Sequence, residues 1–394
     1  MQNFTFKCPT EIVFGRHAED QVAEKIRAYG GSRVFIVYGG GSVVRSGLLS
    51  RIECQLTANG LAFQVLGGVQ PNPRLSLVRE GVREALLFKA NFILAVGGGS
   101  VIDSAKAIAH GVANPHTDVW DFWTGHAKLE KTTPMGSVLT IAAAGSETSD
   151  SAVLTNEETS RKMGLNTPLN RPVVAFMNPE LTFTVPKRQL VCGISDILMH
   201  TMERYFTNVK AENMLTDYVA ESVIKTVMNK SRVAIENQED YDAMSEIMWC
   251  GSVSHCDFTG LGRGKDFSCH KLGHELSARY DVTHGASLTS VWGAWAEYVY
   301  RDDPARFAQY AERIFGIETG TEEERARLGI EKMVAYFQGI GMPVSLKELF
   351  GKTLSNETIT ELADLATAGD TKKLGTFHPL TKKDVIAIYK LANH

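Results

Sequence analysis

Short apolar runs alternate with amphipathic stretches through the first 185 residues of the chain. "RVFIVYGGGS" (33–42), "AFQVLGG" and "NFILAVGGGS" (91–100) each carry a mostly apolar, β-branched or aromatic run that leads into glycine. Runs of that length and composition predict buried strands. Between them, "LLSRIECQLTANG" and "VIDSAKAIAHGV" place apolar residues at helical spacing. "GSVLTIAA" and "RPVVAFMNP" add two more strand candidates. Strands alternating with helices imply a mostly parallel sheet with helices on both faces, because each parallel pairing needs a crossover.

After Pro186 the pattern changes. "PKRQLVCGISDILMHTMERYFTN" starts with a proline suited to a first helical turn and continues with apolar residues at helical spacing. Helix follows helix from there to His394: Pro304 and Thr321 mark starts, and Gly339 and Gly341 mark a stop. No internal repeat, low-complexity tract or long linker interrupts the chain. The pattern predicts an α/β domain over 1–185 and an all-helical domain over 186–394, as a chain of 394 residues is long for a single core.

Composition narrows the function classes. The chain is 44% hydrophobic and 22% charged, which is ordinary for a soluble globular protein. A formal net charge of −4 gives no electrostatic reason to expect nucleic acid or an anionic membrane as partner. The N-terminus lacks a basic segment leading into an apolar core, and the apolar runs are too short to span a bilayer. Six cysteines without CxxC spacing suit a reducing compartment, so a cytoplasmic location is expected.

Two Gly-Gly-Gly-Ser turns, at 39–42 and 97–100, each end a predicted strand and open a helix. Glycine lets backbone approach a ligand closely, and a helix N-terminus offers unpaired N–H groups, so such turns suit phosphate. Either turn alone reads equally well as a tight connection, since neither fits GxGxxG. Two on one sheet suit a dinucleotide, with its pyrophosphate at one turn and its adenosine end near the other. The strand at 34–38 ends in Tyr38 and glycines, with no acid to bond a ribose 2′-hydroxyl. Ser42 and Arg45 follow, which points to NADP(H).

The helical half carries the second chemistry. Asp196 and His200 are four residues apart, as are His270 and His274, and His284 follows ten residues after His274. Residues at i and i+4 share a helix face. One such pair is weak evidence, because a single histidine beside an apolar face is more often a satisfied core residue. Two pairs plus His284 point to a divalent metal, and aspartate with imidazoles suits Zn²⁺ or Fe²⁺. Lys271 after His270 breaks the HExxH pattern of zinc peptidases. Spacing leaves open which two of the three downstream histidines bind.

"NPELTFTVPKRQLVCGISDILMHTMERY" and "CHKLGHELSARYDVTHG" resemble the two metal-ligand segments of the iron-containing (group III) alcohol dehydrogenases. "AVGGGSVIDSAKAIA", "QPNPR" and "AAAGSETSD" resemble that family's cofactor segments, and the match covers nearly the whole chain. The sequence looks closest to the branch of NADPH-dependent aldehyde reductases and butanol dehydrogenases. The resemblance implies a Rossmann-like parallel sheet, an all-α C-terminal domain, a dehydroquinate synthase-like architecture, an active site in the cleft between domains, and a homodimer. Edge pairing through "FTFKCPTEIVFG" is a route to such a dimer.

Residue by residue, the resemblance implies metal ligands Asp196, His200, His270 and His284, with His274 lining the site without binding the metal. The proton of the reaction is expected from His274 or from water relayed through the cofactor ribose, and shaping the pocket is the other role open to His274. It implies Gly39, Gly40 and Ser42 at the 2′-phosphate end of NADP(H), and Gly98, Gly99 and Ser100 at the pyrophosphate. Asn72, Asp103, Thr140 and Lys162 lie along the riboses and nicotinamide in that reading. Ala142 and Ala144 depart from the family's usual proline and threonine. Cys269 is expected to be a buried bystander and Trp292 and Trp295 to be core residues. The implied reaction moves a hydride between NADP(H) and a small aliphatic aldehyde or primary alcohol. The same scaffold also serves dehydroquinate synthase-like lyases and polyol or glycerol-phosphate dehydrogenases. Those grip anionic substrates with several basic residues, and only Arg263, Lys265, Lys271 and Arg279 lie near the candidate ligands in sequence. A binding protein with a structural metal is the remaining rival, and it would not need two nucleotide turns.

Overall fold

The structure, a computed structural model, describes all residues from 1 to 394. Eight strands form: β1 (Glu11–Phe14), β2 (Arg33–Tyr38), β3 (Ala62–Leu66), β4 (Phe92–Gly97), β5 (Met135–Leu139), β6 (Ser151–Asn156), β7 (Arg161–Asn166) and β8 (Val174–Met177). The helices before Pro186 are α1 (Val22–Ala28), α2 (Ser42–Arg45), α3 (Leu48–Ala58), α4 (Leu75–Phe88), α5 (Gly99–Ala113) and α6 (Val119–Thr124). Those after it are α7 (Lys187–Tyr205), α8 (Met214–Glu236), α9 (Tyr241–His255), α10 (Ser268–Tyr280), α11 (His284–Val299), α12 (Pro304–Phe315), α13 (Glu322–Gly339), α14 (Leu346–Phe350), α15 (Asn356–Ala366) and α16 (Lys382–Leu391).

The chain groups into two compact units. The sheet unit comprises Lys7–Val185 and Asn237–Ser252; the helical unit comprises Met1–Phe6, Pro186–Glu236 and Val253–His394. Two short segments thus depart from a single break at residue 185. The second has a visible cause. Gln238 donates from Nε2 to the carbonyls of Thr182 and Val185, both at 2.8 Å, and the Arg16 guanidinium lies 4.0 Å from the Tyr241 ring centre.

In the sheet unit, six parallel strands run in the order β1-β8-β5-β4-β2-β3. Val34 to Val37 and Phe92 to Val96 are fully buried, as strands covered by helices on both faces must be. Each such apolar side chain contributes roughly 1.5–3 kcal/mol by leaving water. The chain winds from β2 outward to β3, then returns to place β4 on the other side of β2. The reversal falls between β2 and β4, where open α/β sheets bind ligands. An antiparallel hairpin, β6–β7, stands apart from the main sheet and was not evident from apolar pattern, because "RKMGLN" is partly exposed and half polar. Residues 1–10 form no strand, so the N-terminal edge is only the four residues of β1.

The helical unit contains no strand. Thr321 and Glu324 form a reciprocal capping box at the start of α13, a feature worth about 1 kcal/mol. Pro186 sits at the N-cap of α7 in an extended conformation, one residue before its first turn. No helix is long and apolar enough to cross a membrane.

Candidate metal centre and nucleotide-binding turns

Helix α7 is buried on nearly every side, from Leu190 to Tyr205. Asp196, His200 and Glu203 fall at i, i+4 and i+7 along it, a single stripe. Helix α10 contributes His270 and His274, and α11 opens with His284. Gly285 sets the approach of α11 to α7: a Cβ there would lie 2.3 Å from the Cys192 carbonyl oxygen. Only glycine allows backbone to meet backbone at that point, and the contact brings His284 beside Asp196.

Asp196 Oδ1 is the hub. It lies 3.5 Å from His200 Nδ1, 3.7 Å from His270 Nε2 and 3.8 Å from His284 Nε2. One donor atom each from Asp196, His270 and His284 falls within 4.8 Å of the others. The His200 ring stacks on that of His270, with centres 4.5 Å apart, and on His255 at 3.9 Å. His274 stands with its ring centre 5.4 Å from His284 and 6.3 Å from His270.

Two of the converging atoms, Asp196 Oδ1 and His270 Nε2, are buried without a hydrogen-bond partner, as is His200 Nδ1, which lies near Asp196 but outside that set of three. Buried polar atoms are normally paired, and one carboxylate with imidazoles aimed at a common point is the donor set of a divalent ion. The residues therefore fit a Zn²⁺ or Fe²⁺ ion. Burial, and next the neighbouring His255 and His270, hold the His200 pKa well below its usual value, which keeps it neutral as a ligand must be. Burial also pulls on His270, but Glu203 and Asp196 outweigh it and the net shift is upward.

Three groups here lay outside the sequence reading. Glu203 bonds His270 Nδ1. Its signal was available, since it extends the Asp196–His200 stripe by one turn. His255 reaches the cluster from the end of α9, with no spacing signal to mark it. Phe267 precedes α10 in a left-handed conformation (φ 57°), rare for a bulky residue, with its ring 4.9 Å from that of His270.

Other expectations about this unit resolve plainly. Cys269 is fully buried, and burial pushes its thiol well up, away from thiolate. Trp292 and Trp295 are fully buried, against Phe337 and against Phe206, Phe307 and Phe377 respectively. Arg263 pairs with Asp217 at 2.7 Å, Arg279 with Glu361 at 2.5 Å, and Lys265 with Asp257.

In the sheet unit, the glycine turns leave adjacent strands. Tyr38 pairs with Val96 at the carboxyl ends of β2 and β4, so Gly39–Ser42 and Gly97–Ser100 emerge side by side. Thr140 follows β5, its N–H donating to the Gly97 carbonyl at 3.1 Å. Gly98 and Gly99 open the 15-residue α5. A Cβ on Gly99 would meet only the Ala144 methyl, at 3.6 Å, and one on Gly40 would meet nothing within 4 Å. The Arg45 side chain folds back over its turn, with Nη1 3.4 Å from where a Gly41 Cβ would stand.

Asn72, in a left-handed conformation after β3, accepts at Oδ1 from Lys162 Nζ at 2.8 Å. That bond ties the β6–β7 hairpin to the 72–76 segment, as does the Thr155 N–H to the Pro73 carbonyl at 2.8 Å. Asp103 is turned inward. Its Oδ1 accepts from Ser146 Oγ at 2.6 Å and its Oδ2 from the Val153 N–H at 2.9 Å. It holds the segments that flank the turns.

Residues 9–179 match the family described as iron-containing alcohol dehydrogenase, and residues 190–393 match the C-terminal region of the Fe-containing alcohol dehydrogenase family. The chain is 37% identical over 392 residues to NADH-dependent butanol dehydrogenase A of Clostridium acetobutylicum, covering 99% of each chain. It is 34% identical, over the full length of both, to NADPH-dependent aldehyde reductase YqhD of Escherichia coli. The crystal structure of NADH-dependent butanol dehydrogenase A from Thermotoga maritima superposes with a TM-score of 0.95 at 38% identity, covering 100% of this chain and 99% of the other.

Proposed function

The chain belongs to the family of iron-containing alcohol dehydrogenases and is an alcohol dehydrogenase or aldehyde reductase; we propose that it uses NADP(H) and one divalent ion, Fe²⁺ or Zn²⁺, to interconvert small aliphatic aldehydes and primary alcohols. The observation that carries this reading is the convergence of Asp196, His270 and His284, with His200 Nδ1 3.5 Å from the same Asp196 oxygen and with Asp196 Oδ1 and His270 Nε2 buried and without a hydrogen-bond partner. When bound, the ion supplies Lewis acidity toward a carbonyl or alkoxide oxygen, and the nicotinamide supplies or accepts the hydride.

The chain's own residues do the rest. Asp196, His200, His270 and His284 hold the ion. His274, with its ring beside those of His270 and His284, holds the proton that the reduced product needs on a ring nitrogen, and imidazole has the intrinsic pKa for that work. Gly98, Gly99 and Ser100 admit the pyrophosphate at the start of α5. Gly39, Gly40 and Ser42 admit the adenosine end. Asn72 and Lys162, joined to each other, and Thr140 at the end of β5 border the riboses, while Asp103 braces that region from within.

The named relatives divide between NADH and NADPH, so coenzyme choice is argued from this chain. The β2 turn offers no acidic side chain to repel a 2′-phosphate, and Arg45 folds over it. A lyase or polyol-phosphate reading needs several free basic groups near the metal, whereas three of the four candidates, Arg263, Lys265 and Arg279, are paired to carboxylates. All six cysteines are free thiols, which supports a cytoplasmic protein. β1, paired only with β8 at the sheet edge, supports a homodimer built on that edge, which light scattering on the purified protein would test.

The deciding experiment follows NADPH and NADH oxidation with butanal, on protein as purified, after chelation, and after return of Zn²⁺ or Fe²⁺. Turnover with NADPH that chelation abolishes and one ion restores is the expected result. Turnover with NADH alone overturns the coenzyme assignment, and turnover indifferent to chelation overturns the metal assignment.

A further inference from the structure

We infer that Glu203 is the positioning residue of the metal centre: it fixes which nitrogen of His270 faces the ion and supplies the second negative charge that a buried divalent ion requires. The inference rests on the metal reading above. Glu203 is 1% exposed and sits on the same stripe of α7 as Asp196 and His200. Its Oε2 meets His270 Nδ1, and its Oε1 accepts from the backbone N–H of Cys269 at 2.7 Å and of His270 at 3.3 Å. One helix thus provides two ligands and also grips the backbone and ring of a third.

An ionised carboxylate only accepts, so the His270 proton resides on Nδ1 and the lone pair on Nε2. Nε2 is the atom 3.7 Å from Asp196 Oδ1 that lacks a hydrogen-bond partner. Charge balance gives the second part. Neutral imidazoles add nothing, so Asp196 alone leaves a divalent ion with one uncompensated positive charge among buried side chains, a costly arrangement. Glu203 brings the sum to zero. The nearby buried Arg204 is turned elsewhere, its guanidinium 4.8 Å from the Phe267 ring centre and donating to the His200 carbonyl at 2.9 Å. Asp266 is engaged elsewhere, accepting from the N–H groups of Ser268, Thr376 and Phe377.

Glu203→Gln keeps length and an acceptor oxygen while removing the charge, and Glu203→Asp keeps the charge while shortening the reach. Zn²⁺ affinity of each full-length protein is measured by competition with a chromogenic chelator, beside thermal midpoints with and without Zn²⁺. The expected result is a metal-free midpoint close to wild type and a Zn²⁺ affinity lower by about 10- to 100-fold in Glu203→Gln, partly recovered in Glu203→Asp. Equal affinity in wild type and Glu203→Gln overturns the inference alone. So does a midpoint loss of the same size with and without metal, which marks a merely structural carboxylate. A wild type that binds no ion overturns the metal reading and this inference with it. If neither variant folds, nitrogen NMR of histidine-labelled, zinc-loaded wild type decides. A protonated Nδ1 on His270 supports the inference, and a metal-bound Nδ1 sinks it.

Discussion

His110 and His270 are both buried histidines on helices, one in each unit, and they differ in one respect. His110 has both ring nitrogens within hydrogen-bond distance of protein oxygens: Nδ1 lies 2.8 Å from Thr132 Oγ1 and Nε2 2.7 Å from Asn170 Oδ1. The Asn170 amide nitrogen already donates to the carbonyls of Asp150 and Leu165, so its oxygen accepts from His110 Nε2 and the Thr132 hydroxyl donates to Nδ1. His270 has one nitrogen on Glu203 and the other turned toward Asp196 and two more imidazoles. A histidine whose second nitrogen is left for a ligand is a different object from one that is satisfied, even at equal burial. Nothing in the residue type or the helix separates them; the partners do.

The sharpest test of that contrast is removal of the hub. Asp196→Ala is expected to lose the bound ion and at least about 1000-fold in aldehyde reduction, since a polarising ion contributes several kcal/mol to the transition state. His110→Gln is expected to keep full metal content. Elemental analysis beside NADPH oxidation reads both, and an Asp196→Ala protein that retains metal and turnover breaks the comparison.

The second test uses pH. Burial, opposed by the Asn170 hydrogen bond, brings the His110 pKa down to about 4. In the unfolded chain it returns to about 6.5. Between these values the unfolded state takes up the proton first, so the contribution to stability is whole above pH 6.5 and is lost as pH falls toward 4. The loss amounts to about 3 kcal/mol. The denaturation midpoint of His110→Gln is expected to fall less than that of wild type between pH 7 and pH 4.5, and parallel curves would contradict the assignment.

A third test separates fold from ligand within the second glycine turn. A Cβ on Gly97 would lie 2.5 Å from Val101 Cγ2, whereas one on Gly99 meets only a methyl at 3.6 Å. Gly97→Ala is therefore expected to lower the thermal midpoint. Gly99→Ala is expected to leave it unchanged while raising the KM for NADPH about 10-fold, the equivalent of about 1.4 kcal/mol in lost close approach. The smallest effect belongs to Arg45. An exposed charged contact is worth up to about 1 kcal/mol, so Arg45→Ala should raise the KM for NADPH by about 3- to 5-fold and leave that for NADH unchanged. Equal change with both coenzymes would remove the argument for NADP(H).

Much of this was legible without coordinates. Apolar runs and helical spacing located β2, β3, β4, β5 and β8 and the change to helices after Pro186, because burial patterns repeat within a few residues. The β6–β7 hairpin was not legible. It is partly exposed, and Lys162, Asn72 and the Pro73 carbonyl define it from positions far apart in the chain. The donor set was legible as residue types, and four-residue spacings placed Asp196 with His200 and His270 with His274. That His270 and His284 face Asp196 depended on the approach of α11 to α7 at Gly285.

The kinds of elements, the glycine turns and the chemistry of the candidate ligands are each written in residues a few positions apart, so the amino-acid order alone carries them. Only the tertiary structure placed β4 beside β2, so that the two turns share one end of the sheet, and only it put Glu203 behind His270. Those relations join residues about 60 positions apart. Strand order and helix packing set them, through contacts that no local period encodes.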